Sequence, residues 1–249
     1  MKTAILQEEF LDYFNMGYRT LETEDGSMTL KKNSPDSEPM HSLKGALTES
    51  LYIYGEAVDL FLQAHSKDSS FDVLSIGTGM GYNEIIAFTK IFDSDFFNYN
   101  FKSFESERHL VDLFLKRVKS PEDYPEYTKP FTSCDLFNKN EVCLVKFFKA
   151  IKCLENKVEF CGAFDEVYLE ALSCKKYLIL FDAYSSKTSE SLWTESFLDK
   201  VLKKCAKGSV FATYASTGVL KRALKANKFS NKDKKGFASK RQSTLAVKM

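Results

Sequence analysis

Histidine and tryptophan are scarce in this 249-residue chain: three His, at 41, 65 and 109, and one Trp, at 193. The histidines are too scattered for a metal site recognisable by ligand spacing, so no metal is expected. The six cysteines (134, 143, 153, 161, 174 and 205) include no C-x-x-C pair. That argues against a zinc ribbon or a dithiol redox site and suits the reduced thiols of a cytoplasmic protein. No apolar run is long enough to span a bilayer, and the opening Met1-Lys-Thr-Ala-Ile-Leu6 does not read as a signal peptide. A membrane partner is therefore not expected. Prolines number five, and three of them, Pro121, Pro125 and Pro130, fall together. They mark 120–138 as an inserted loop.

What is present is a large apolar fraction, 44% hydrophobic and 14% aromatic, enough for the core of one large domain or two small ones. The net charge of +1 hides an asymmetry. From Lys200 onward there are 14 Lys and Arg against one acid, Asp233, a balance of +13 that leaves −12 on the first 199 residues. A basic C-terminal region on an acidic remainder suggests a polyanionic partner. Lysines solvated at helix ends account for the charge equally well.

Ile5 to Phe14 reads as a short amphipathic helix. Arg19 to Lys31 alternates around Asp25-Gly26, a hairpin signal. Ala46 to Ala64 reads as one helix. From Phe71 strands and helices alternate, with strands expected at 71–76, 99–104, 157–161, 176–181, 208–214, 229–233 and 243–248. Helices are expected at 83–92, 107–118, 140–153, 163–172, 191–204 and 217–227. Such alternation specifies an α/β fold, a seven-stranded, mostly parallel sheet covered on both faces, with an N-terminal hairpin and helix extension. The division expected is 1–65 for the extension, packed on the core, and 66–249 for the main domain.

The most informative stretch is Phe71-Asp-Val-Leu-Ser-Ile-Gly-Thr-Gly-Met-Gly-Tyr-Asn83. An apolar strand ends in Gly77, Gly79 and Gly81, and a helix opens at once. Glycines permit a sharp turn and close approach of a ligand to the main chain. A dinucleotide fingerprint would need its third glycine at 82, which is Tyr82, and no Gly-Lys-Ser/Thr of a P-loop follows. The second strand ends at Glu105, where a doubly wound sheet can offer a carboxylate to ribose hydroxyls. The fourth ends at Asp182, over the crevice where such sheets bind ligands. A solvated Glu and a turn-capping Asp are the plain alternatives. Glu49, on the helix before the first strand, can face a cationic ligand or lie exposed. Trp193 is a packing residue by default and a base-stacking one by function.

Together these pieces resemble the methyltransferase half of the MnmC-type tRNA wobble-uridine modification enzymes, found also as stand-alone MnmD-type proteins. The resemblance runs from about Thr20 to the C-terminus. It rests on Asp25-Gly-Ser-Met-Thr-Leu30, His41-Ser42 with Gly45-Ala46 and Glu49-Ser50, Gly77-Thr-Gly-Met-Gly81 with Asn83, and Phe104-Glu105. It continues through Asp182-Ala-Tyr-Ser-Ser186, Leu192-Trp-Thr194, Ala212-Thr-Tyr-Ala-Ser216, and Gly236-Phe237 with Lys240-Arg241. The chain departs from the family at Ser75, at the Ser-rich loop after Asp182, and at Gly162-Ala163. The resemblance implies a Rossmann-like class I fold that uses S-adenosyl-L-methionine (SAM) to methylate the exocyclic amine of 5-aminomethyl-(2-thio)uridine at the tRNA wobble position. Glu49, Gly77, Thr78, Gly79, Gly81, Asn83 and Glu105 would hold the cofactor, and Asp182 would be catalytic. Tyr184, Trp193, Lys240 and Arg241 would meet the tRNA. A separate oxidase would supply the aminomethyl substrate, since the family's flavin-dependent half is missing and no flavin is implied. Three other readings compete: methylation of a small molecule or protein, an inactive RNA-binding module on the same fold, and an aminopropyltransferase.

Overall fold

The computed structural model describes residues 10–133, 142–184, 188–232, 234–238 and 242–249, without the side chains of 133 and 142–146. Its centre is a seven-stranded sheet: β3 (Phe71–Ile76), β4 (Tyr99–Phe104), β5 (Val158–Cys161), β6 (Tyr177–Phe181), β7 (Val210–Thr213), β8 (Phe229–Lys232) and β9 (Thr244–Lys248). The strand order is β5-β4-β3-β6-β7-β9-β8. All neighbours are parallel except β9, which runs antiparallel to β7 and β8. A separate hairpin, β1 (Tyr18–Glu22) and β2 (Met28–Lys32), turns at Asp25-Gly26 as its sequence predicts. Each of the seven strands expected from the sequence is present.

Alternation along the strands decides what covers each face, because successive side chains point to opposite sides. Val73, Leu178 and Leu180 face a core shared with the hairpin, the 46–64 helix, α4 (Tyr82–Asp93), α5 (Arg108–Lys119), α6 (Pro125–Ser133) and α7 (Val142–Leu154). Leu74, Ile76, Tyr177, Ile179 and Phe181 face the other core, made with α8 (Glu166–Ala171), α9 (Glu195–Lys203) and α10 (Gly218–Ala226). Strands β3 and β6 are buried along their whole length. They read as continuous apolar runs because both faces are covered.

Two expectations need correction. The proline-marked segment is not a loop: Pro121–Asp123 forms a 3₁₀ turn and Pro125–Ser133 is α6. Pro125 opens the helix, where its missing N–H is no loss. Tyr127 and Phe131, four apart, bury against Tyr82 and Phe147, which offsets the bond forfeited at Pro130. The span 46–64 is not one regular α-helix either. It runs as α2 (Ala46–Ser50), a π-helical turn Leu51–Gly55, and α3 (Glu56–Ala64). The N-terminal helix is seen as α1 (Leu11–Asn15). The rest of that expected helix, and residues 134–138 of the expected loop, fall outside the described residues.

Gly81, the N-cap of α4, has φ +81°, and a Cβ there would sit 2.1 Å from the Phe114 ring. A left-handed backbone costs an L-residue about 1–2 kcal/mol, and overpacking adds roughly 1–3. Gly81→Ala should therefore destabilise the fold by about 2–5 kcal/mol in urea unfolding. Phe114→Leu in that background should restore part of the loss. Gly162→Ala, where a Cβ meets nothing within 4 Å, should be near neutral. An unchanged midpoint for Gly81→Ala would refute the packing role.

Candidate functional site

Parallel pairing in register brings the ends of β3, β4 and β6 to one edge: Ile76 lies beside Phe104 and beside Phe181. The chain leaving each strand then supplies one part of a single site. After β3 comes the glycine turn, whose Gly77 and Thr78 N–H groups both donate to the Phe104 carbonyl, at 2.9 and 3.3 Å. After β4 comes Glu105, which accepts from the Gly79 N–H at 3.0 Å through Oε2 and from the Glu107 N–H at 3.0 Å through Oε1. After β6 comes Asp182, whose own N–H donates to the Ile76 carbonyl at 2.8 Å. At Gly77 a Cβ would lie 2.5 Å from the Asp182 carbonyl oxygen. Only glycine allows these two turns to touch.

They border a cavity of about 1150 Å³. Loop 34–43 and β2 residue Lys32 form its far wall, while Tyr54, Tyr184 and Tyr214 contribute aromatic surface. Among the described residues seven carboxylates line it (Asp36, Glu38, Glu49, Glu105, Asp165, Glu166 and Asp182), against Lys32 as the sole lysine or arginine. Its volume lies above the usual range for a single drug-sized ligand, about 300–1,000 Å³. The lining therefore suits a cationic ligand, with room for a second molecule beside it.

Asp182 is held from two sides. Tyr54 donates its hydroxyl to Oδ1 at 2.7 Å, and Asn83 donates its amide to Oδ2 at 2.7 Å. Burial pushes the carboxyl up to about 7, against these two donors, and the charges of Glu49 and Glu84 push in the same direction as burial. Glu49, 5% exposed, accepts from the Ser42 N–H at 2.7 Å and so ties α2 to the far-wall loop. Trp193 donates its indole N–H to the Tyr184 carbonyl at 2.6 Å and packs edge-on to Phe181.

The structure thus gathers Glu49, Gly77, Thr78, Gly79, Glu105, Asp182 and Tyr184 around one cavity. Gly81, Asn83 and Trp193 do not line it and act from behind: one by packing, one through Asp182, one through Tyr184. Lys240 and Arg241 lie outside the described residues, as do 185–187 of the Ser-rich loop. Tyr54 was not legible in the sequence. The π-helical turn widens the helix there, bringing residues five apart, Glu49 and Tyr54, towards one face, and such turns recur at functional sites.

The basic C-terminal region is divided by the topology. Because β8 runs parallel to β7, Lys232, Lys234 and Lys235 fall at the cavity edge of the sheet, whereas Lys207, Lys228 and Lys248 fall at the opposite edge. At the cavity edge, Lys234 is bound to the Glu56 carboxylate and the Tyr52 carbonyl. The charge is not one patch. Among the described residues no group of His, Cys, Asp and Glu is arranged to hold a metal, and no helix is long and apolar enough to cross a membrane.

A family model described as S-adenosyl-L-methionine-dependent methyltransferase matches residues 133–249, which include Asp182 but not the glycine turn. An uncharacterized protein of Methanocaldococcus jannaschii is 27% identical over 98% of this chain and 63% of its own length. The bifunctional protein MnmC of Legionella pneumophila (strain Corby), named for tRNA 5-methylaminomethyl-2-thiouridine biosynthesis, is 23% identical over 83% of this chain and 33% of its own. The crystal structure of MnmC2 from Aquifex aeolicus superposes with a TM-score of 0.64 at 21% identity, over 93% of this chain and 70% of that one. Residues 133–249 thus match a methyltransferase family model, and the chain as a whole resembles the methyltransferase part of the MnmC proteins. It spans less than two thirds of the length of these two curated relatives. The fold is the class I, Rossmann-like architecture, and SAM is the cofactor that the description of the matching family model names.

The residues present fit that cofactor. The backbone of a turn with glycine at 77 and 79 lies against the cavity, Glu105 retains lone pairs beyond its two backbone bonds, and the carboxylate lining complements a cation. A buried carboxyl with a raised pKa has a consequence for stability. The folded state holds a proton on Asp182 between about pH 4 and 7 that the unfolded chain has released, so this group's contribution falls as pH rises through that window. Asp182→Asn should relieve it, since Asn83 has an otherwise unpartnered Oδ1 that can turn to accept from the new amide. We expect the variant to gain roughly 1–2 kcal/mol over wild type at pH 8, after allowance for solvent screening, and nothing at pH 4. Denaturant unfolding at both pH values measures it, and an equal difference at the two would contradict a raised pKa.

Proposed function

We propose that this protein methylates the exocyclic amine of 5-aminomethyl-(2-thio)uridine at the wobble position of tRNA, using SAM. The observation that carries the reading is one cavity bordered by two adjacent, chemically unlike groups, the glycine turn with Glu105 and Asp182 with Tyr54. An MnmC relative named for this modification supports it. On this reading residues 1–65 are an extension that walls the cavity, and 66–249 are the methyltransferase domain. The aminomethyl base comes from a separate oxidase, and the setting is the cytoplasm.

The bound cofactor supplies a methyl group on a sulfonium centre, electrophilic and leaving as a neutral thioether. Everything else falls to the chain. Glu105 accepts from the ribose hydroxyls and fixes the reach of the cofactor into the cavity. The carboxylates around the cavity draw in the cationic amine of the base. The wobble nucleotide lies in a single-stranded loop, so its extrusion is cheap, and Tyr184, held by Trp193, lines the space it would enter. Asp182 takes a proton from the amine nitrogen, freeing the lone pair that forms the new N–C bond as the carbon–sulfur bond breaks, and after passing that proton to solvent its carboxylate pairs with the ammonium product. Fixing the two reactants in line is worth roughly 7–11 kcal/mol in well-oriented reactions. Tyr54 and Asn83 hold Asp182 rigid for that purpose.

The test is single-turnover methylation of tRNA carrying the aminomethyl base, read by mass analysis of nucleosides. Asp182→Asn should bind tRNA and SAM yet transfer methyl about 10²–10⁴-fold more slowly. The wild-type rate should fall below about pH 7, as Asp182 protonates, and this limb should vanish in the variant. A wild-type rate in Asp182→Asn would make the residue structural. Methyl transfer to a small molecule or protein, with none to tRNA, would replace the substrate.

A further inference from the structure

Beneath the glycine turn lies a carboxyl group that the mechanism above does not use. Glu84, in the first turn of α4, has no exposed surface. A glutamate there ordinarily faces solvent. This one points inward at β3 and β4, where the Ser103 hydroxyl donates to its Oε1 at 2.7 Å. Ser103 Oγ lies 2.7 Å from Thr78 Oγ1, and Thr78 lines the cavity. All three side chains are buried, Thr78 at 4% exposure and the others at 0%.

Proton counting gives this chain a direction. A serine hydroxyl has one proton, and Ser103 spends it on Glu84. Ser103 can then only accept from Thr78, so the Thr78 proton points inward, away from the cavity. The alternative acceptor for that proton, the Phe104 carbonyl at 3.5 Å, also lies inside. What Thr78 can offer the cavity is therefore lone pairs alone. We propose that Glu84 is a positioning residue which, through Ser103, fixes Thr78 as a hydrogen-bond acceptor for an N–H donor of the bound cofactor. The inference rests on the cofactor reading given above and adds a cause for its specificity. A ligand with a donor at that point is matched, and one with an acceptor there meets lone pair against lone pair.

Other groups near Glu84 fit the same arrangement. The Ser75 hydroxyl from β3 lies close enough to act on Glu84 in the same sense as Ser103, although neither it nor Glu84 Oε2 completes a hydrogen bond. Glu105 and Asp182, on the two neighbouring turns, add negative charge that pushes Glu84 towards its neutral form, as its burial does. Oε1 accepts equally well as a carboxylate oxygen or as the carbonyl of a neutral acid whose proton sits on Oε2. The chain keeps this direction while Glu84 is ionised or carries its proton on Oε2, and a proton on Oε1 would reverse it.

Titration calorimetry with S-adenosylhomocysteine (SAH), the demethylated cofactor product, tests the proposal on the full chain. Glu84→Gln keeps an acceptor for Ser103 and should bind within about threefold of wild type. Glu84→Leu frees the Ser103 proton and should weaken binding roughly tenfold, as should Thr78→Val. The double variant should be no weaker than either single one, because both remove the same contact. Ser103→Ala, which folds with least disturbance, should repeat the Glu84→Leu result. Binding by Glu84→Leu and Ser103→Ala within twofold of wild type, or additive losses in the double variant, would overturn the role of Glu84 and leave the cofactor reading standing. Wild-type protein that fails to bind SAH would defeat that reading, and this inference with it.

Discussion

The structure depends on the contact between the turns that leave β3 and β6. The strands are adjacent and parallel, so Gly77 and Asp182 must pass each other at the same level. They do so with the Asp182 N–H on the Ile76 carbonyl and with no room for a side chain at Gly77. That contact places the carboxylate of Asp182 beside the glycine turn. It also fixes where the cavity opens, because every other lining element is positioned relative to it. Glu105 is drawn to the same turn through the Gly79 N–H. The hairpin and the 46–64 helix enclose the space from the far side.

Collecting seven carboxylates around one cavity is unfavourable for folding, since like charges repel and burial disfavours ionisation. The protein tolerates it in two ways. Donors are built in, such as Tyr54 and Asn83 on Asp182 and the Ser42 N–H on Glu49. Burial pushes Asp182, one of the seven, and Glu84 beneath them up to about 7, which lowers the charge they carry near neutral pH. A bound cation would relieve the repulsion directly.

Much of this was legible in the sequence. Strands β3 and β4 match their expected limits residue for residue, because an apolar run bounded by glycine or by an acid leaves little latitude. Strands β4 and β6 pointed in the same way to Glu105 and Asp182, since a residue directly after a central parallel strand must lie at the ligand-binding edge. What escaped were features decided by packing. Pro125 and Pro130 signalled a loop, yet Tyr127 and Phe131 bury well enough to impose a helix. Tyr54 was hidden by a π-helical turn that no helical periodicity announces. Glu84 resembles any solvated glutamate near a helix start. Lysines close in sequence, such as Lys228 and Lys232, lie at opposite edges because β8 runs the width of the sheet between them.

The central claim is that one cavity holds the cofactor at the glycine turn and the reacting amine at Asp182. A crystal structure of the protein soaked with SAH tests it most directly. The account predicts the adenosyl group along Gly77–Gly79, its ribose hydroxyls on Glu105, and the sulfur directed towards Asp182. SAH bound away from Glu105, or with its sulfur turned from Asp182, would contradict it.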